Sequence, residues 1–334
     1  MDYNCGFPLT RTIEVMGKEI TVKNYICSRD GGEYKEKGEH PRLQLSIIPT
    51  DFCDCNCPFC SAHELGDNAG NTKHFLDRKK LLNTLKELNC IDIVRGISIT
   101  GGEPFTDITL LDDIISMCFE IFGKDMEISI NTNGSGLKNL NMIKNLQYVD
   151  AIHISRHHYD EDINRELFEG MTGRCGRLAH NDQVARAEMI PTNAEIREAV
   201  AGISYKDIFV FNCLLLRDYI GTREEMHRFL DYSIEMGVPK VGFITAMKVN
   251  DFTKSQRVSY EDVFTREDNL ILFTRCYKDF DFCRCQDGVY TSPNGGLCEL
   301  YGRQTMHGEP EYVRGLVYGA DNHLRTGYTG NIIS

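Results

Sequence analysis

Four thiols fall within the eight residues Cys53-Asp54-Cys55-Asn56-Cys57-Pro58-Phe59-Cys60. Their neighbours are small or turn-forming, so the run reads as a loop of soft ligands for a metal rather than as part of a core. Cys53, Cys57 and Cys60 stand in the spacing C-x3-C-x2-C, with Phe59 just before the last thiol. A fully ligated four-iron cube takes four Cys, so three thiolates leave one iron open. An open position is what a catalytic metal site keeps. The competing reading is a structural zinc knot with Cys55 as fourth ligand. Zinc, however, usually draws its ligand pairs from separate segments.

Further chemistry-bearing residues follow in order. Gly101-Gly102-Glu103-Pro104 offers two glycines that let a ligand approach the backbone and a carboxylate able to accept from an ammonium group. Asn131-Thr132-Asn133-Gly134, then Ser155, supply polar groups where strands are expected to end. His153, His157 and His158 read as polar lining, with substrate binding or proton transfer as the alternative. Each tetrapeptide alone is also an ordinary strand terminus.

In this order the segments resemble the radical S-adenosylmethionine (radical SAM) superfamily. The resemblance implies a [4Fe-4S] cluster on Cys53, Cys57 and Cys60, with Phe59 as the family's aromatic. It further implies that Gly101, Gly102 and Glu103 hold the methionine amino group of SAM, and that Thr132 and Ser155 lie against the cofactor. Arg165 matches an Arg that pairs with the SAM carboxylate in some members. Within the superfamily, Phe211-Asn212-Cys213-Leu214 and Gly242 to Met247 are closest in pattern to the GTP cyclase of molybdenum-cofactor synthesis. That likeness places Asn212 and Met247 beside the cofactor, Met247 against the adenine, where a core methionine is the other reading. The cyclase's GTP-contacting residues are missing: Ser98 and Val210 replace an Arg and a Lys, and Gln286 to Tyr290 replace an Arg-rich stretch. GTP is therefore not the expected substrate.

The elements that must position these residues read as α/β. Apolar alternation marks strands at Leu43 to Pro49, Ile93 to Thr100, Met126 to Ile130, Val149 to Ser155, Asp207 to Leu214 and Val241 to Met247. Helices begin at Asp77 and at the capping sequences Thr192-x-x-Glu195 and Thr222-x-x-Glu225. Strands alternating with helices predict a parallel sheet, here a partial (βα)6 TIM-like barrel whose site lies at the C-terminal strand ends. That barrel is assigned to residues 44–249. Residues 1–43 form a short N-terminal extension with a β-hairpin around Met16-Gly17-Lys18, and 250–334 a C-terminal extension. Lys248 to Arg257 reads as a polar connector, followed by a short helix capped at Ser259.

Cys276, Cys283, Cys285 and Cys298 cluster in the C-terminal extension. The resemblance implies a second iron–sulfur cluster there. The spacing C-x-C-x12-C departs from the family's usual C-x2-C start, so inert thiols or zinc remain the alternatives.

Composition bounds the rest. At 41% hydrophobic and 26% charged, 334 residues can bury a large core without disordered tracts. The start, Met-Asp-Tyr-Asn, shows no signal-peptide pattern and no apolar run approaches a membrane span. A cytoplasmic location is expected, in which 14 Cys serve as ligands and buried thiols rather than disulfides. A net charge of −12 disfavours bulk nucleic acid as partner. The expectation is an oxygen-sensitive radical SAM enzyme acting on a small-molecule or nucleotide-derived substrate, served by an electron donor such as flavodoxin or ferredoxin. Peptide modification is the runner-up. A zinc-binding interaction module and an iron–sulfur electron carrier are the readings from other classes.

Overall fold

The strand β3 (Leu43–Ile47) alternates buried and half-buried side chains, which is how a strand reads when one face is packed and the other open. The same alternation runs through β6 (Ala151–Ser155) and the second half of β7 (Phe209–Leu215). Between these strands and around them lie β4 (Val94–Ile99), β5 (Glu127–Thr132) and β8 (Lys240–Thr245). Strands β3 to β8 are hydrogen-bonded side by side in sequence order, all parallel. This is the strand order of a partial (βα)6 barrel, and the described strands do not close on themselves.

The structure is a computed structural model that describes residues 7–26, 42–60, 76–169, 190–203, 208–238, 240–263 apart from 247, 249 and 259, three short strands between 271 and 301, and 313–334 apart from 314 and 329.

Helices cover the outer face. Helix α1 (Arg78–Cys90) starts where the Asp77 carboxylate accepts from the backbone N–H of Lys79 and Lys80, and it buries Leu81, Leu85 and Leu88. Helix α2 (Ile108–Phe122), capped by Asp107, buries Leu110, Leu111, Ile114, Ile115 and Cys118. The β5–β6 crossover uses two 3-10 segments, Leu137–Met142 and Leu146–Tyr148, in place of an α-helix. Helix α3 (Glu161–Glu169) follows β6, and α4 (Asn193–Gly202) opens with the reciprocal Thr192/Glu195 capping box. Helix α5 (Arg223–Glu235) is capped by the Thr222 hydroxyl. Under these helices lies one apolar core that includes Leu45, Ile97, Ile130, Ile154, Phe211 and Phe243, all fully buried. Each such side chain contributes about 1.5–3 kcal/mol.

The N-terminal hairpin pairs β1 (Phe7–Val15) with β2 (Lys18–Ile26) through a two-residue turn, Met16-Gly17, both with positive φ. It forms a separate two-stranded sheet that braces α1, where the Met16 N–H donates to the Glu87 carboxylate at 2.5 Å. The polar connector expected at Lys248 to Arg257 contains a helix instead, α6 (Asp251–Gln256). Asn250 and Thr253 cap it reciprocally, and so short a run carries no apolar periodicity to announce it. A further turn of helix, α7 (Tyr260–Val263), follows.

The C-terminal residues extend the sheet at both ends. Beyond β8 come β11 (Leu297–Tyr301), parallel to it, then β10 (Gly288–Thr291) and β9 (Ile271–Leu272). Beyond β3 come β12 (Gly315–Tyr318), also parallel, and β13 (Leu324–Arg325). Among the described residues no helix is long and apolar enough to cross a membrane.

Candidate functional site

Parallel strands bring their C-terminal ends to one edge, and each candidate segment that the structure describes leaves a strand there. The Cys loop follows β3, the diglycine-glutamate turn follows β4, Thr132 ends β5 and Ser155 ends β6.

Loop and turn are stitched backbone to backbone. The Gly102 N–H donates to the Thr50 carbonyl at 3.1 Å, and the Glu103 N–H to the Phe52 carbonyl at 2.8 Å. A Cβ on Gly102 would overlap the Phe52 carbonyl, and one on Gly101, where φ is +122°, would collide with the Ile48 side chain. The glycines thus admit the approach of the Cys loop itself, a role the tetrapeptide alone did not reveal.

Glu103 is fully buried. One carboxylate oxygen accepts from the Phe105 N–H at 3.0 Å and the Thr132 hydroxyl at 2.8 Å, and the other from the Asn133 N–H at 2.7 Å. Burial, together with the charge of Asp54, pushes its carboxyl up to about 8 against those three hydrogen bonds. Thr132 in turn accepts from the Gly134 N–H at 2.9 Å.

Asn133 and Asp54, to which the sequence alone gives no individual role, join this turn to the thiols. The Asn133 side-chain amide donates to Asp54 Oδ1 at 2.5 Å and to Cys55 Sγ at 3.1 Å. Ligand atoms of Cys53, Asp54 and Cys55 lie within 4.8 Å of one another. The Cys53 thiol is pushed well up by its hydrogen bond with Cys55, by burial and by the charges of Cys55, Asp54 and Glu103. At Cys57 the bond with Cys55 works the other way, but burial and the charges of Cys60 and Cys53 outweigh it. Among the described residues none of the four thiols forms a disulfide, and all four are half-buried. Crowded sulfurs beside two buried carboxylates form a soft, electron-rich donor set that a cationic group would relieve, and an iron–sulfur cluster fits it.

The far side of the loop is anchored through Phe59. Its ring meets His157 edge-on at 4.7 Å and Phe168 at 6.5 Å, and it packs on Leu167, Leu216 and Ala246. The Asn56 N–H donates to the Phe168 carbonyl, and the Asn250 amide to the Pro58 carbonyl. His157 Nδ1 accepts from the Leu214 N–H at 3.2 Å. Burial and nearby Arg156 lower its pKa to about 3, so it is a neutral wall of the site rather than a proton carrier near neutrality. No local signal marks Phe168 or Asn250 as partners of a loop more than a hundred residues earlier.

Inside the sheet the lining is polar. Ser46, Ser98, Asn131, His153, Ser155 and Asn212 are half-buried and share the inner face by register. The Asn131 amide donates to Ser98 Oγ at 2.8 Å, and the Asn212 amide to Asn131 Oδ1 at 3.5 Å. Arg165 lies on α3, where it pairs with Asp162 at 2.9 Å. The arginine that is deeply buried at this edge is Arg156, whose guanidinium donates to the Pro191 carbonyl and the Asn193 side chain. Met247, Cys276, Cys283 and Cys285 lie outside the described residues, and Cys298 falls on β11, of which only the backbone is described.

Residues 47–174 match the family described as Radical SAM superfamily. A probable GTP 3′,8-cyclase of Saccharolobus islandicus is 28% identical over 207 residues, which are 61% of this chain and 57% of that protein. An S-adenosylmethionine-dependent nucleotide dehydratase of Fibrobacter sp. is 26% identical over 168 residues, 49% of this chain and 46% of the relative. The chain thus spans about half the length of these curated relatives. Among solved structures, Streptococcus suis SuiB bound to its precursor peptide SuiA superposes with a TM-score of 0.45 at 19% identity, over 69% of this chain and 46% of that one.

Proposed function

We propose, from the radical SAM domain that this chain carries at residues 47–174, a cytoplasmic enzyme that cleaves SAM reductively and takes hydrogen from a small-molecule or nucleotide-derived substrate. The observation that carries this reading is the hydrogen-bonded convergence of the Cys loop, Glu103 and Asn133 at one edge of the sheet. A zinc module has no use for that convergence, nor an electron carrier for a polar inner face behind it.

Cys53, Cys57 and Cys60 are the assigned ligands of the [4Fe-4S] cluster. When bound and reduced, by a donor such as flavodoxin or ferredoxin, the cluster supplies the electron that splits SAM into methionine and a 5′-deoxyadenosyl radical. The chain's own residues do the rest. Phe59 seats the loop on His157 and Phe168 and keeps water from its rear. Gly102 and Glu103 fix the loop's approach. Ser98, Asn131, Ser155 and Asn212 present hydrogen-bonding groups to whatever occupies the inner face. Two positions that hold cations in the cyclase pattern are here a Ser bonded to Asn131 and a Val that is buried, so a triphosphate is not favoured.

The test is anaerobic reconstitution followed by iron analysis and a SAM-cleavage assay with a strong reductant. The expected outcome is about four irons per cluster and release of 5′-deoxyadenosine, with the release lost in Cys57→Ala. Bound zinc in place of iron, or iron without any 5′-deoxyadenosine, overturns the reading.

A further inference from the structure

We infer that Ser98 and Asn131, on the inner face of β4 and β5, read an uncharged, hydrogen-bonding edge of the substrate, and that the substrate is an unphosphorylated nucleoside. This rests on the function proposed above and narrows its substrate class.

Charge excludes the first alternatives. Beyond the first two residues of each strand, β3 to β8 contain no Asp, Glu, Lys or Arg. The apolar side chains of these strands go to the outer face, and Ser46, Ser98, Asn131, Ser155 and Asn212 stay half-buried on the inner one. A phosphate lying there would lose hydration with no cation in the strands to pair it. An ammonium group would lose hydration with no carboxylate in the strands. What this face holds without either cost is a neutral group.

Hydrogen bonding narrows that group. The Asn212 amide donates to Asn131 Oδ1 at 3.5 Å, and the Asn131 amide donates to Ser98 Oγ at 2.8 Å. β7, β5 and β4 thus share one chain of bonds with a fixed direction, which orients both reading side chains before a ligand arrives. Ser98 is the acceptor in that chain, so its own O–H is left to donate. Asn131 keeps a second amide N–H and a second carbonyl lone pair. At the far end Asn212 Oδ1 is buried and has no partner among the described residues. A buried acceptor without a donor is costly, and it persists where a ligand completes it. Donors and acceptors set side by side match a ligand edge that carries both, which is how an asparagine reads a nucleobase. A phosphate or carboxylate offers acceptors alone and would turn them on Asn212 Oδ1. Of the substrates left by the function proposed above, a nucleotide-derived one fits this face once its phosphates are gone, as a nucleoside.

The test titrates guanosine, cytidine, uridine and inosine, each beside its 5′-mono- and triphosphate, into reconstituted protein saturated with SAM. Binding is read by anaerobic calorimetry, and release of 5′-deoxyadenosine is then measured with a strong reductant. At least one nucleoside is expected to bind no more weakly than its monophosphate and to raise release above the substrate-free rate. Asn131→Leu is expected to weaken that nucleoside by about 10- to 100-fold, the range of hydrogen bonds left unmade, with substrate-free release unchanged. Ser98→Arg sets a cation on the face and is expected to move the preference toward the monophosphate. Both variants are checked for iron content and for melting by circular dichroism. Binding that needs the phosphate, or no nucleoside that both binds and stimulates, overturns the inference and leaves the radical SAM reading standing. Asn131→Leu that lowers substrate-free release as far as nucleoside-dependent release overturns it too. Should Asn131→Leu fail to load iron, Ser98→Arg decides, and an unmoved preference for the nucleoside counts against the inference. Wild-type protein that holds iron yet releases no 5′-deoxyadenosine under any condition sinks that reading and this inference together.

Discussion

The two faces of the β3–β8 sheet are built to opposite rules. On the outer face Leu45, Ile97, Ile130, Ile154, Phe211 and Phe243 have no exposed surface and merge with the helices into one core. On the inner face Ser46, Ser98, Asn131, Ser155 and Asn212 stay half-buried, and several of them bond to one another across strands. A barrel interior filled for stability would carry branched apolar side chains in layers. This one keeps hydrogen-bonding groups facing inward. The contrast separates what holds the molecule together from what its site can recognise.

The sharpest way to break that contrast is on the outer face. Phe243→Ala removes a fully buried ring that packs against Phe229 at 5.8 Å between centroids. About 3–5 kcal/mol of stability should be lost, seen as a lower urea midpoint, while SAM affinity of the still-folded fraction is unchanged. A smaller but more local effect is expected where the faces meet the site edge. Gly102→Ala sets a methyl against the Phe52 carbonyl, which cannot move without releasing the backbone bonds from Gly102 to Thr50 and from Glu103 to Phe52. A cost of about 1–3 kcal/mol is expected, and iron retained after gel filtration should fall well below wild type. Full iron retention would mean that the glycines do not serve the loop's approach.

The outer face was legible because its rules are local. Leu81, Leu85 and Leu88 recur at helical spacing, Thr192 and Glu195 announce a helix start, and Met16-Gly17 turns a hairpin. The Cys loop and the diglycine turn stood out because their residue types are unusual, but the reason for the glycines did not. That reason is the Phe52 backbone, fifty residues earlier. Asn133 reaching Asp54, and Phe59 wedged against His157 and Phe168, are likewise contacts between distant segments that no periodicity encodes. The same holds for β11 and β12, which leave the C-terminal region to pair with β8 and β3. Helix α6 has only its Asn250/Thr253 cap, a pair that announces no helix without apolar periodicity behind it.

The finest test of the contrast is the smallest change. Ser98 accepts from the Asn131 amide at 2.8 Å on a half-buried surface. Ser98→Ala removes that acceptor without opening a cavity, and on so accessible a face water can take the vacated bond. The expected loss is about 0.5–1.5 kcal/mol, well under that of Phe243→Ala. Iron loading and substrate-free cleavage of SAM should stay at wild-type level, because Ser98 touches none of the groups that hold the Cys loop. An Asn131 side chain freed to rotate would instead show in the substrate, as a raised KM at unchanged SAM cleavage. If Ser98→Ala unfolded the protein as readily as Phe243→Ala, the inner face would be a core like the outer one, and its polar groups would be structural rather than reserved for a ligand.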